Sequence, residues 1–280
     1  MEIGAADHSL AGSAVEALLL ELEAYPKPGL VSPRDSGAHA DMDYALMCRS
    51  ANALLGPFAS IAATGREGGP LALSLIPLGL AAEREMLQAT GGINTHRGAI
   101  FTMGLLVAAM ARAGSSARPT TPDGIRAVLL ETWGGDLKAH DSSVMSVASH
   151  GALVRRTTGT GGARAEAARG FPGIFETGVP AFLGALTSGL DPNAARIQTL
   201  FALMEATEDS NVIFRGGTDA ADFVRRAAAE FLGAGGCHSD GWFARAEELH
   251  RTLIRRNLSP GGCADLLSGT LLIAGVDFFR

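Results

Sequence analysis

Residues 89–106, Ala-Thr-Gly-Gly-Ile-Asn-Thr-His-Arg-Gly-Ala-Ile-Phe-Thr-Met-Gly-Leu-Leu, set the terms on which the rest of the chain is read. The Gly91-Gly92 pair opens backbone conformations closed to other residues and lets a ligand approach the main chain. Asn94 and Thr95 are both good helix N-caps. A run of small and apolar residues from Ala99 to Ala111 then has the length and character of a buried helix. A glycine turn feeding a helix N-terminus leaves amides and the positive end of the dipole free to hold an anion. His96 and Arg97 fall in that first turn, where a cation opposes the dipole. Cations placed against helix stability, where the backbone already favours anions, point to a phosphate site. The competing reading is a capped core helix whose His and Arg face solvent.

Outward from this stretch the composition is that of a helical enzyme-sized chain. Of 280 residues, 47% are hydrophobic and only 6% aromatic, with 36 glycines, enough to bury a sizeable core by close helix packing. Runs of β-branched residues of strand length are nearly absent. The net charge of −6 and the scattered arginines lack a basic nucleic-acid footprint. Cys48, Cys237 and Cys263 have no CxxC spacing, which excludes a Cys-rich zinc site and a disulfide framework. No basic n-region precedes an apolar segment, and no apolar run is long enough to span a bilayer. The expectation is a cytoplasmic protein without membrane or nucleic-acid partners.

Helical periodicity starts at 9–24, capped by Ser9 or Ser13, and stops before Tyr25-Pro26-Lys27-Pro28-Gly29, where two prolines forbid helix. Lys27 is thereby displayed on a stiff loop. Asp41 is placed to cap a second helix running to about Thr64, and a third helix near Pro77 carries Glu83. Residues 114–124 form a Ser/Pro/Gly linker, the one internal seam, before a helix from Pro122 to Thr132. Residues 133–143 and 157–162 read as glycine-rich loops. Further helices are expected over 174–189, 191–207, 218–232, 240–256 and 259–274. The sum is an all-α fold: a single globular multi-helix bundle, residues 1–280, with a polar cleft lined by helix N-termini.

Charged and polar residues recur at the glycine-broken joints: Lys27, His39, Asp41, Asn94, His96, Arg97, Arg164, Asp209, Asn211, Arg215 and Asp265. Several such joints together favour a ligand with several phosphates. Arginine offers bidentate donors to phosphate, and lysine a point charge. Asp41, Asp209 and Asp265 could hold Mg²⁺ together with substrate phosphates, or simply cap helices. Glu83, in an apolar helix, needs a partner or a chemical task. His140-Asp141, read as lying in a glycine-flanked loop, matches helical metal-dependent phosphohydrolases poorly. Cys237-His238 carries no pattern.

Read together, the joints resemble the triphosphoribosyl-dephospho-coenzyme A synthases. The matching pieces are Pro26-Lys27-Pro28-Gly29-Leu30-Val31, Gly37-Ala38-His39-Ala40-Asp41-Met42 and Thr90 through Gly98. They continue with Gly162-Ala163-Arg164, Gly170-Phe171-Pro172, Glu208-Asp209-Ser210-Asn211, Arg215-Gly216-Gly217 and Asn257 through Gly262 with Ala264-Asp265. Arg97 stands where the family pattern has Lys, and Ser210 where it has Thr; both keep the chemistry. The resemblance implies that ATP and 3′-dephospho-coenzyme A are joined with loss of adenine. The product would be the prosthetic-group precursor of malonate decarboxylase or citrate lyase, handed on to a holo-acyl-carrier-protein transferase. The Ala/Arg/Gly-rich, unfused chain leans towards the malonate decarboxylase system. On this reading Lys27, Asn94, Thr95, Arg97, Arg164, Asn211 and Arg215 bind ATP and its phosphates, Asp41 and Asp209 hold Mg²⁺, and Glu83 and His96 move protons. The alternatives are a non-catalytic nucleotide-binding protein and a helical metal-dependent nucleotide hydrolase.

Overall fold

The structure, a computed structural model, describes residues 2–116, 118–142 and 161–278. Every regular element among the described residues is helical. The chain runs through α1 (Ala5–Glu23), α2 (Tyr44–Ala53), α3 (Leu55–Glu67), α4 (Leu75–Ala89), α5 (Arg97–Gly114) and α6 (Pro122–Ser142). After α7 (Gly162–Ala168) come a π-helical turn (Gly173–Gly178), α8 (Val179–Thr187), α9 (Pro192–Ala206) and α10 (Ser210–Gly233). A short 3₁₀ turn (Gly236–His238), α11 (Trp242–Arg255) and α12 (Gly261–Phe278) complete it.

α5 is the hub, packing against α1, α3, α4, α6, α7 and α12. Its residues are buried on nearly every side, among them Ile100, Met103, Leu106, Val107 and Ala109, as a helix apolar all round must be. Small residues let its neighbours come close: any side chain at Gly65 on α3 would collide with Ala108 on α5. α12 joins the two halves, touching α1 and α5 on one side and α8, α9 and the π-helical turn on the other. One hydrophobic cluster includes residues on both sides of the 114–124 linker.

Several boundaries differ from the sequence reading, each for a local reason. α1 begins at Ala5, because the Asp7 carboxylate at the third helical position accepts a bond from the Gly4 amide at 2.9 Å, the one half of a capping box a glycine N-cap allows; Ser9 and Ser13 lie inside the helix. The long second helix is two, broken at Leu54, since Pro57 in the first turn of α3 has no amide to continue the ladder. Asp43, not Asp41, caps α2, through a 2.8 Å bond to the Leu46 amide. The expected loop at 133–142 is helix: Gly134 and Gly135 are carried by Leu129, Trp133 and Leu137, buried at helical spacing. The Trp133 indole bonds the Gly69 carbonyl at 2.9 Å, which anchors this turn. His140-Asp141 is therefore helical. Arg215 and Gly216 also lie within a helix, which breaks only at Gly217, where φ is 76°. Residues 157–160 of the other expected loop lie outside the described residues.

Candidate active site

A cleft of about 1540 Å³ opens where α1, α4, α5, α10 and α12 meet. Its lining includes the first residues of α5, α10 and α12: Arg97 and Gly98, Ser210 and Asn211, Gly261 and Gly262. The central glycine turn contributes less than its sequence suggests. Gly91 and Gly92 have φ of 66° and 93°, and the Gly92 amide bonds the Leu87 carbonyl at 2.7 Å. They end α4 in left-handed conformations that only glycine adopts cheaply, and neither lines the cleft. Gly98 does line it, and any side chain there would strike the carboxylate of Asp265.

At the floor of the cleft lies a buried ion pair. Lys27 is 1% exposed and its Nζ donates to Glu21 Oε1 at 2.6 Å. Burial lowers the Lys27 pKa, and the Glu21 carboxylate opposes that shift. The loop that delivers Lys27 is clamped by His250 Nδ1, 2.7 Å from the Lys27 carbonyl oxygen, and by the Asp35 carboxylate 3.0 Å from His250 Nε2. Beside Lys27, His96 is buried with Nδ1 2.7 Å from Ser50 Oγ, which also lies 2.6 Å from Thr95 Oγ1. Burial, and then the Lys27 charge, push the His96 pKa down to about 4. His96 is thus a neutral imidazole at physiological pH.

Glu83 finds the partner its position demanded: Arg97 Nε donates to Glu83 Oε2 at 2.9 Å across the α4–α5 hairpin. Asn94 Oδ1 lies 3.3 Å from the Arg97 amide, a capping contact. Arg164, on α7, lines the cleft and lowers the His140 pKa behind the larger effect of burial. His140 and Asp141 themselves line the cleft from the last turn of α6.

Two expected ligands, Asp209 and Arg215, have other work in this structure. Asp209 Oδ1 accepts from the amides of Asn211 (2.8 Å) and Val212 (3.2 Å), and its Oδ2 from the Cys263 amide at 2.8 Å. One buried carboxylate therefore caps both α10 and α12. Asp209→Ala should lower stability by about 2–4 kcal/mol, the loss of two caps, read by thermal unfolding. Arg215 is spent on the chain: Nη1 donates to the Ala38 carbonyl at 2.7 Å and to Asn257 Oδ1 at 3.1 Å. Its Nη2 rests 3.2 Å from His39 Nδ1, so it pins the 37–41 loop to the 257–259 loop. Asp41 is at the rim, its side chain 63% exposed and 3.7 Å from His39 Nδ1.

The carboxylate that stands out instead is Asp265, in the first turns of α12. It opens to the cleft, and no described residue donates a hydrogen bond to it. Burial first, then the charges of Asp209 and Glu21, raise its pKa well above the ordinary carboxylate range. A carboxyl that lines a cleft, with no donor among the described residues, has the character of a proton acceptor awaiting substrate. Among the described residues no group of three or more His, Cys, Asp or Glu could hold a metal ion.

Residues 7–278 match the family described as ATP:dephospho-CoA triphosphoribosyl transferase. The chain belongs to this family. This transferase is 39% identical over 277 residues to a Pseudomonas putida protein described as "Probable 2-(5''-triphosphoribosyl)-3'-dephosphocoenzyme-A synthase", covering 97% of this chain and 95% of that one. A Salmonella typhimurium protein with the same description, numbered 1, is 38% identical, over 95% of this chain and 90% of its own. A solved structure from Archaeoglobus fulgidus, also named as a triphosphoribosyl-dephospho-CoA synthase, shares the fold with a TM-score of 0.52. It covers 82% of this chain and 99% of its own at 16% identity. Among the described residues, no helix is long and apolar enough to cross a membrane.

Glu21 and Ser50 escaped the sequence reading. Glu21 did carry a signal, a carboxylate beside Leu18 and Leu22 on the apolar side of the first helix. Ser50 gave none, because an isolated serine in a helix has no pattern.

Proposed function

We propose that this chain joins ATP to 3′-dephospho-coenzyme A with release of adenine, within the one cleft described above. The observation that carries the reading is the Asp265 carboxylate, which no described residue donates to and which lines the same cleft as Lys27, His96 and Arg97. The acceptor's 2′-hydroxyl oxygen attacks C1″ of the ATP ribose as the bond from C1″ to the purine nitrogen breaks. The hydroxyl proton passes to Asp265, and adenine, leaving with the bonding pair on its ring nitrogen, takes a proton from water, so protons balance. An oxocarbenium-like state gains from a base already in place and from fixed charge around the triphosphate.

Lys27 and Arg97 supply that charge, with Arg164, Asn94, Thr95 and Asn211 as further polar contacts. His96, neutral and held by Ser50, serves as a hydrogen-bonding partner rather than as an acid. Glu83, paired to Arg97, orients the guanidinium. Mg²⁺ fits this donor set only as an ion carried by the phosphates, with Asp41, exposed at the rim, as the carboxylate that would meet it. Bound there it would neutralise phosphate charge. The product would go to a holo-acyl-carrier-protein transferase serving malonate decarboxylase or, as the second route, citrate lyase.

Adenine should appear from Mg·ATP only when 3′-dephospho-coenzyme A is present, one adenine per acceptor consumed, measured by chromatography. Nucleotide breakdown without the acceptor would instead support the hydrolase alternative, and binding without any adenine a non-catalytic one.

A further inference from the structure

The cleft is larger than a site for one nucleotide needs, and its character changes along its length. α4 and α5 form an antiparallel hairpin, and both send a stripe into the cleft. On α4 the stripe is Ile76, Gly79, Leu80 and Glu83, at helical spacings of three and four. On α5 it is Arg97, Phe101, Gly104 and Leu105. The closed end of the hairpin carries the Glu83–Arg97 ion pair. Towards the open end both stripes become apolar: Ile76, Gly79 and Leu80 on α4, a rise of about 6 Å, and Phe101, Gly104 and Leu105 on α5.

These apolar groups are not fully packed away. Leu80 is 51% exposed, and Ile76 and Phe101 are half-buried, and all three line the cleft. A side chain built at Gly79 would meet nothing within 4 Å, so the glycine leaves a bare shelf of backbone between Ile76 and Leu80. A triphosphate gains nothing from such a wall. We infer that the Ile76–Leu80/Phe101 trench binds the pantetheine arm of the acceptor, an extended, uncharged chain of methylene, methyl and amide groups. The trench thereby selects 3′-dephospho-coenzyme A over nucleotides that lack the arm. The inference rests on the function proposed above, and it places the acceptor's tail along the hairpin and its adenosine end towards Arg97 and Asp265. Apolar contact of this kind discriminates through area removed from water.

Binding, rather than turnover, tests it, so that failure of the transfer reaction and failure of this assignment come apart. Calorimetry compares 3′-dephospho-coenzyme A with ADP, which is the same molecule without pantetheine. The parent chain should prefer the former. Leu80→Asp and Gly79→Leu, both at positions with open space, should reduce that preference by about tenfold while leaving ADP and ATP affinity unchanged. Free pantetheine should compete with the acceptor and not with ATP. Unchanged preference in both variants, or equal loss of affinity for all three ligands, would overturn the assignment. Retained circular dichroism in both variants separates these outcomes from misfolding.

Discussion

Replacing Asp265 by Asn is expected to lower kcat by about 10²–10⁴-fold, the usual contribution of a positioned general base, while Mg·ATP affinity is nearly kept. The same substitution is expected to leave the fold as stable or to strengthen it. Burial and the neighbouring Asp209 and Glu21 charges raise the Asp265 pKa in the folded chain above its unfolded value. The native state then binds more protons than the unfolded state across that interval, so Asp265 subtracts stability as pH rises through it. Asparagine, which never ionises, removes that loss at neutral pH. Activity runs the opposite way: it needs the ionised carboxylate and should decline as pH falls through the raised pKa, with the acid limb absent from the residual activity of Asp265→Asn. Parallel thermal melts and adenine-release kinetics read both. A variant that loses stability while retaining kcat would make Asp265 a structural residue and remove the proposed base.

The helical nature of the fold was legible because its signals are local. An Asp-Pro start, apolar periodicity and the poverty of β-branched runs each report on a few consecutive residues, and α9, α11 and the core of α5 follow from them directly. What the sequence misplaced depended on distant partners. Gly134-Gly135 looked like a loop because glycine weakens a helix, yet Trp133 and Leu137 packed behind them hold the turn. Asp209 and Arg215 were rightly drawn to the cleft, but a carboxylate beside a helix start reads the same whether it caps or coordinates. Only the Cys263 amide, 54 residues away, reveals the double cap. Glu83 gave the clearest inference of this kind: an acid in an apolar helix predicted a partner, and Arg97 supplied it. Asp265 was visible only as one joint carboxylate among several. What sets it apart, the lack of any donor among the described residues, belongs to tertiary structure and has no trace in sequence.

The second large effect is expected at the buried pair under the cleft. Lys27→Met leaves Glu21 charged in a site where its side chain is 7% exposed. Removing one member of a buried pair costs about 3–5 kcal/mol, because the other charge is stranded. Against a domain stability of roughly 5–15 kcal/mol that is a large fraction, and the melting temperature should fall by roughly 10 °C. Glu21→Gln should be destabilising for the converse reason, leaving the Lys27 ammonium buried with a poorer acceptor. The double substitution, Glu21→Gln with Lys27→Met, strands no charge and should recover most of the loss, giving a positive coupling in a double-mutant cycle. Function separates from folding at this point. A pair kept only for structure would be dispensable once both charges are gone, and the double variant would bind Mg·ATP as the parent does. A pair that holds an ammonium ready for triphosphate predicts instead a folded protein whose Mg·ATP affinity has dropped by about 1.5–3 kcal/mol, the scale of a charge-assisted hydrogen bond. Calorimetric titration of the refolded double variant decides between them, and parental affinity there would take Lys27 out of the phosphate site.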